Sequence, residues 1–373
     1  MFEVRKLRGA VINLKKTAKY KSIIELFFMV FSKNKSLLLV IILAFLGLVF
    51  FIKFQGSNNF IQLPQLKNED EGGEQLDPLE IAAMREREYP GGEIKIEKDL
   101  GNQGGFTSYI VSYHSDGLKL NALMNVPAGQ RPSSGWPVII INHGYINPSV
   151  YDTANSYKAF SDYFARNGYL VVKPDYRGHA DSEGDAEGGH WSPAYTYDVL
   201  NLISSIKKYP EADFNRIGMW GHSMGGNVTL RSIVVSKDIK ASVIAAGVVG
   251  SAEDLFYNWR RRTGFVPPPW WATASARARL VQTYGEPRDN PEFWNKISAI
   301  NYVDSIAGPV QIHHGTNDAS VPKEFSDRLN EALQKVGKEV EYFVYEGGDH
   351  NLSGDFRSQF LSRSLNFFDK HLK

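Results

Sequence analysis

Five residues constrain this chain more than any others: Gly221-His222-Ser223-Met224-Gly225, followed at once by a second glycine, Gly226. The stretch before them, 216–220, reads as a short buried strand, and 226–235 has the apolar spacing of an amphipathic helix. A G-x-S-x-G pentapeptide between a strand and a helix is the setting of a nucleophile elbow. The glycines are expected for a steric reason. So sharp a turn forces the serine into a strained backbone conformation, and side chains at 221 and 225 would strike the adjoining strand and helix. Backbone N–H groups at the start of the helix would face any negative charge that develops near Ser223. The pentapeptide alone also fits a glycine-rich turn without chemistry, so the other loops must decide.

Strands and helices alternate around the elbow. Apolar/polar alternation over 93–98, 107–112 and 118–126 predicts antiparallel strands with one wet face, and the wholly apolar 138–141 predicts a strand buried on both faces. Then follow a helix at 157–167, a strand at 169–173, a helix at 194–209, the elbow, and a strand at 241–246. The alternation resumes with a strand at 310–313, a helix at 322–336, a strand at 340–345 and a last helix at 355–371. Helices between strands imply a mostly parallel sheet covered on both faces, with the antiparallel strands at its N-terminal side. Residues 251–298, rich in Trp, Pro and Arg, interrupt the order and are expected to form a lid insertion.

In such a sheet, chemistry collects at the carboxyl ends of the strands. Asp318 follows the strand at 310–313, His350 follows that at 340–345, and His143-Gly144-Tyr145 follows that at 138–141. A serine hydroxyl needs a base, and an imidazole serves only when a carboxylate fixes its tautomer. Ser223, Asp318 and His350 supply these groups in the order Ser, Asp, His. The backbone N–H groups of Met224 and Tyr145 are the expected oxyanion donors. His222 and His143 read as packed or turn-shaping residues and His179 as part of a structural loop. His313 and His314, adjacent at a strand end, point opposite ways, and no carboxylate cluster stands beside them for a metal. No metal or cofactor is expected.

Together these motifs resemble the α/β-hydrolase superfamily: His143-Gly144, Asp175-Tyr176-Arg177-Gly178 with Ser182 and Gly184, Gly221 to Gly226, His314-Gly315-Thr316-Asn317-Asp318 with Val321-Pro322, and Gly348-Asp349-His350. They resemble most closely the catalytic domain of prolyl oligopeptidase-type serine peptidases, with dienelactone hydrolases and acyl esterases as relatives, over about residues 105–373. The resemblance implies Ser223 as nucleophile, Asp318 as acid, His350 as base, and Tyr145 with Met224 as oxyanion donors. It implies a small peptide substrate first and a small carboxylic ester second. A binding scaffold without chemistry is the third reading, and it would carry a broken triad, whereas every member is present here. Trp259, Trp270 and Trp271, stiffened by Pro267-Pro268-Pro269, are candidates for an apolar substrate wall. Packing of the lid onto the domain is the competing role for these tryptophans.

Charge separates the N-terminal region from the rest. Residues 1–53 hold ten Lys/Arg and two Asp/Glu, a balance of +8, whereas the whole chain stands at +1, leaving −7 for the remainder. No nucleic-acid surface is expected on an acidic remainder. The basic segment 1–35 precedes an apolar run, 37–52, closed by Lys53. The reading is a cytoplasmic segment (1–35), a single-pass signal anchor (36–54), an acidic flexible tether (55–89) with a short helix toward its end, and an extracytoplasmic catalytic domain (90–373). A shorter apolar patch at 23–31, interrupted by Glu25, suits an interfacial amphipathic helix. The chain has no cysteine, which excludes disulfides, thiolate metal sites and a cysteine nucleophile.

Overall fold

In the computed structural model, residues 76–373 are described, apart from 187–188 and 260–271 and the side chains of 272–275. The expected cytoplasmic segment, anchor, interfacial helix and most of the tether lie outside these residues, as do Trp270 and Trp271. No helix among the described residues is long and apolar enough to cross a membrane.

Among the described residues, nine strands form one mixed sheet in the order β1-β2-β3-β5-β4-β6-β7-β8-β9. These are β1 (Lys95–Asn102), β2 (Phe106–Ser115), β3 (Leu118–Pro127), β4 (Trp136–Asn142), β5 (Leu170–Pro174), β6 (Ala212–His222), β7 (Ile239–Ala245), β8 (Val310–Gly315) and β9 (Val340–Tyr345). The pairs β1/β2, β2/β3 and β3/β5 are antiparallel, and the six strands from β5 to β9 in sheet order pair in parallel. This is the α/β-hydrolase arrangement read from the sequence.

At the centre of the sheet both faces are dry, and β4 shows why. Val138 and Ile140 join one apolar cluster while Ile139 and Ile141 join the other, all four fully buried. Full burial of each such side chain contributes roughly 1.5–3 kcal/mol relative to exposure, so only a strand flanked by helices satisfies this run. On one face lie α3 (Ala194–Ile206), α4 (Met224–Val235) and α7 (Lys323–Lys335); on the other lie α2 (Lys158–Arg166) and α8 (Asp355–Leu372).

Two segments differ from expectation. The last part of the expected tether carries α1 (Ile81–Glu86), and Ile81 and Met84 are fully buried in the core of the catalytic domain. The Arg85 guanidinium, 2.9 Å from the Val234 carbonyl, fastens this helix to the end of α4. The period of the apolar residues Ile81 and Met84 announces a helix, but only the groove beside α4 makes it part of the domain. Likewise the expected lid is in large part core. Its helices α5 (Ala272–Tyr284) and α6 (Pro291–Ile297) send Leu280, Phe293, Trp294 and Ile297 into the same cluster, and Tyr284 stacks on Phe293 at 3.7 Å.

Replacing Met84 by Ala should therefore lower the unfolding free energy by about 2–5 kcal/mol, measured by urea denaturation, because it empties a fully buried site. A loss below about 0.5 kcal/mol, the usual size of a surface substitution, would show that α1 is not part of the cooperative unit.

Candidate active site

The turn between β6 and α4 is built as its glycines require. Ser223 has φ 55° and ψ −118°, outside the regions open to most side chains. A methyl group on Gly221 would lie 2.2 Å from Thr229 Oγ1, and one on Gly225 would lie 1.9 Å from the Asn142 carbonyl oxygen. Neither position admits any other residue. Hydrogen bonds fix the strained residue from both sides: Ser223 N–H donates to the Ala245 carbonyl at 3.0 Å, and the Ser223 carbonyl accepts from Val248 and Gly226, each at 3.0 Å. A cost of about 1–3 kcal/mol is the usual one for such a conformation, and it persists because the surrounding contacts over-determine it. Met224 is the first residue of α4, so its N–H is among the donors that a helix leaves without an internal partner.

The other expected residues arrive on the loops after β4, β8 and β9. His350 Nδ1 donates to Asp318 Oδ2 at 2.7 Å. Asp318 is 5% exposed, and its other oxygen accepts from the N–H groups of Ser320 at 2.7 Å and Val321 at 2.9 Å. His314 Nε2, 3.1 Å from Oδ2, adds a further contact that the sequence did not reveal. Burial by itself would raise the Asp318 pKa, but the hydrogen bonds from His314, His350 and the Val321 N–H outweigh it and hold the carboxyl well below the usual carboxylate range. The elbow and the His350 loop touch through His222, whose Nε2 donates to the His350 carbonyl at 2.9 Å, with the two imidazole rings 4.7 Å apart.

Gly144 lies directly against the elbow, where an added methyl group would come within 3.2 Å of Ser223 Cβ. This sets the following residue, Tyr145, at the mouth of the site, with 47% of its surface exposed. Below it, His143 is fully buried between the rings of Tyr151 at 4.6 Å and Tyr176 at 4.3 Å, with Nδ1 2.8 Å from the Gly144 carbonyl. Asp175 accepts from Tyr151 Oη at 2.9 Å and Thr153 Oγ1 at 2.5 Å, tying the loop after β4 to the end of β5. The buried Lys173 stands 3.9 Å from Asp175; burial pushes this lysine down to about 8 and the aspartate up to about 6. His179, 1% exposed, packs its ring edge-on to His143 at 5.5 Å, in keeping with a structural loop.

His313 and His314 do point opposite ways. His313 Nδ1 lies 2.9 Å from Tyr345 Oη, whereas His314 faces Asp318 and Ser326. No group of three or more acidic or histidine side chains suited to a metal occurs among the described residues. Trp259, a candidate for the substrate wall, is half-buried, donates its indole N–H to the Ser320 carbonyl at 2.7 Å, and packs against Phe325 and His190. Its observed bond thus pins the insertion to the loop that carries Asp318.

A strained serine on a strand–helix turn, at the carboxyl edge of a mostly parallel sheet, defines an α/β-hydrolase. The chain belongs to the prolyl oligopeptidase family: the model of that family matches residues 155–373. Among curated relatives, it is 26% identical to an uncharacterized peptidase, YuxL, of Bacillus subtilis (strain 168), over 69% of this chain and 38% of the relative. It is 26% identical to dipeptidyl aminopeptidase BIII of Pseudoxanthomonas mexicana, over 58% of this chain and 30% of the relative. The chain thus spans about a third of the length of these relatives. Among solved structures, Porphyromonas gingivalis dipeptidyl peptidase 4 matches with a TM-score of 0.55 and 22% identity, over 72% of this chain and 36% of that one. An acetyl xylan esterase from Paenibacillus sp. R4 matches with a TM-score of 0.58 and 17% identity, over 78% and 92%. At these identities the structural matches establish the fold.

The electrostatics of Asp318 fix a sign for acid stability. A carboxyl whose folded pKa is depressed contributes stability that is present above its unfolded value, near 4, and lost as pH falls through the folded one. Asp318→Asn should therefore destabilise the protein at pH 7 by on the order of 2 kcal/mol, from weakened hydrogen bonds to a charged group, and the gap to wild type should shrink from pH 5 to pH 2. Urea unfolding at pH 7, 5 and 3 measures it, and a gap that widens in acid contradicts the assignment.

Proposed function

We propose that this chain is a membrane-tethered serine peptidase that cleaves small peptides through an acyl-enzyme, with Ser223 as nucleophile, His350 as base and Asp318 as its orienting carboxylate. The observation that carries this reading is the 2.7 Å hydrogen bond from His350 Nδ1 to the buried, ionised Asp318. With its proton held at Nδ1, neutral His350 keeps a lone pair at Nε2 for the serine hydroxyl. Ser223 Oγ then attacks the substrate carbonyl while its proton passes to Nε2, and the negative oxygen of the tetrahedral intermediate faces the N–H groups of Met224 and Tyr145. Collapse expels the amine, which takes the proton from His350. Water repeats the sequence on the acyl-enzyme and frees Ser223. The family membership and the peptidase relatives favour an amide substrate, while the same groups suffice for an ester, whose alcohol leaves more readily.

The membrane tether rests on the N-terminal sequence. Its +8 balance over 1–53 and the apolar run at 37–52 favour a cytoplasmic N-terminus and a catalytic domain on the outer side. Trp259, Trp270 and Trp271 are proposed to wall the substrate pocket from the insertion.

The full chain in detergent should be labelled by a fluorophosphonate at Ser223, and Ser223→Ala should lose both labelling and turnover, a fall of at least ~10³-fold. Labelling that survives in Ser223→Ala would remove the nucleophile from this reading. Comparison of aminoacyl amides with short acyl esters tests the substrate class: turnover confined to esters would make the protein a carboxylesterase. In intact cells the catalytic domain should be cut by externally added protease, and protection of that domain contradicts the outward orientation.

A further inference from the structure

The mechanism above leaves His222 without a task, yet its ring bridges two other loops beside Ser223. It is 6% exposed, with Nδ1 2.6 Å from Tyr157 Oη and Nε2 2.9 Å from the His350 carbonyl. A carbonyl can only accept, so Nε2 carries the proton, Nδ1 is the acceptor, and the Tyr157 hydroxyl donates. Burial, with the neighbouring His350 imidazole, pushes His222 down to about 3, so it stays neutral and in one tautomer at neutral pH.

Tyr157 reaches His222 only through an unusual backbone. It precedes α2 in the left-handed region, at φ 58° and ψ 17°, where a bulky residue is an outlier. A methyl group on Gly144 would sit 2.5 Å from the Tyr157 hydroxyl and 3.2 Å from His222 Nδ1, so the glycine leaves the space that this hydrogen bond occupies. Local strain, an absent side chain and two hydrogen bonds thus meet at one imidazole. The three loops that converge there are those carrying Tyr145, Ser223 and His350.

We propose that Tyr157 and His222 are positioning residues: the tyrosine hydroxyl fixes the His222 tautomer, and the His222 N–H holds the main chain of His350 against the elbow. The proposal rests on Ser223 and His350 acting as assigned above. It differs from simple filling of space, because what matters is one donated proton on each side of the ring. An imidazole that turned over to the other tautomer would present a lone pair to the His350 carbonyl, and two acceptors repel.

The test is steady-state kinetics of the full chain on one aryl ester, with fluorophosphonate labelling rates and melting temperatures for each variant. Tyr157→Phe should lower kcat ~10-fold and His222→Leu ~100-fold, with KM within about twofold, because the loss falls on alignment rather than on substrate binding. His222→Gln, whose side-chain amide can still donate to the His350 carbonyl, should recover to within roughly threefold of wild type. In spectra of protein with 15N-labelled histidine, the His222 Nε2–H signal should be present in wild type and lost or exchange-broadened in Tyr157→Phe. The proposal is overturned if Tyr157→Phe and His222→Leu keep kcat within twofold, or if His222→Gln is as impaired as His222→Leu. Should His222→Leu fail to fold, Tyr157→Phe and His222→Gln decide. Turnover that persists in Ser223→Ala overturns the Ser223 assignment and this proposal together, whereas dependence on Ser223 with indifference to Tyr157 and His222 overturns this one alone.

Discussion

Everything at the carboxyl edge of this sheet depends on a serine held where a serine does not ordinarily sit. At φ 55°, Ser223 is kept in place by the Ala245 carbonyl and the Val248 N–H, and by the lack of room for any side chain at Gly221 and Gly225. Because Gly225 is pressed against the Asn142 carbonyl, the end of β4 and the start of α4 are one unit. The same close approach puts Gly144 beside Ser223 Cβ. A relaxed turn would separate the serine from the backbone N–H groups on either side of it, so the strain is the condition for the site.

A second constraint is electrostatic. Asp318 is almost wholly buried, and a lone carboxylate there would be too costly to keep ionised. Two backbone N–H groups on one oxygen and two imidazoles on the other reverse that cost. His314, fully buried at the end of β8, thereby adds a second imidazole contact to the oxygen that His350 also engages. The buried Lys173 and Asp175 show the opposite outcome: with fewer compensating partners, burial drives both toward their neutral forms.

The insertion illustrates how one segment can serve stability and site together. Leu280, Phe293 and Trp294 complete the core on one face of the sheet, and the Trp259 indole reaches the Ser320 carbonyl in the loop that carries Asp318. Packing of the insertion and placement of the carboxylate are therefore coupled through this hydrogen bond. The short helix Ile81–Glu86 extends the same core from the N-terminal side.

The sequence by itself determined the sheet, the elbow and the three loops after β4, β8 and β9, because these follow from local rules. A run of four buried aliphatics, glycines flanking a serine, and Asp and His at strand ends each leave a mark within a few consecutive residues. The roles of Tyr157, His222 and His314 left no such mark. Tyr157 and His222 are 65 residues apart, and His222 and His350 are 128 apart. The two lines of contact become hydrogen bonds only when parallel strands bring their carboxyl ends to one edge. Likewise the period of 81–86 announced a helix but not its burial, and the tryptophans of the insertion announced apolar surface but not its partner. Periodicity and turn chemistry act over short separations and are written in the chain; which buried polar group meets which is decided by the packing that excludes water from both.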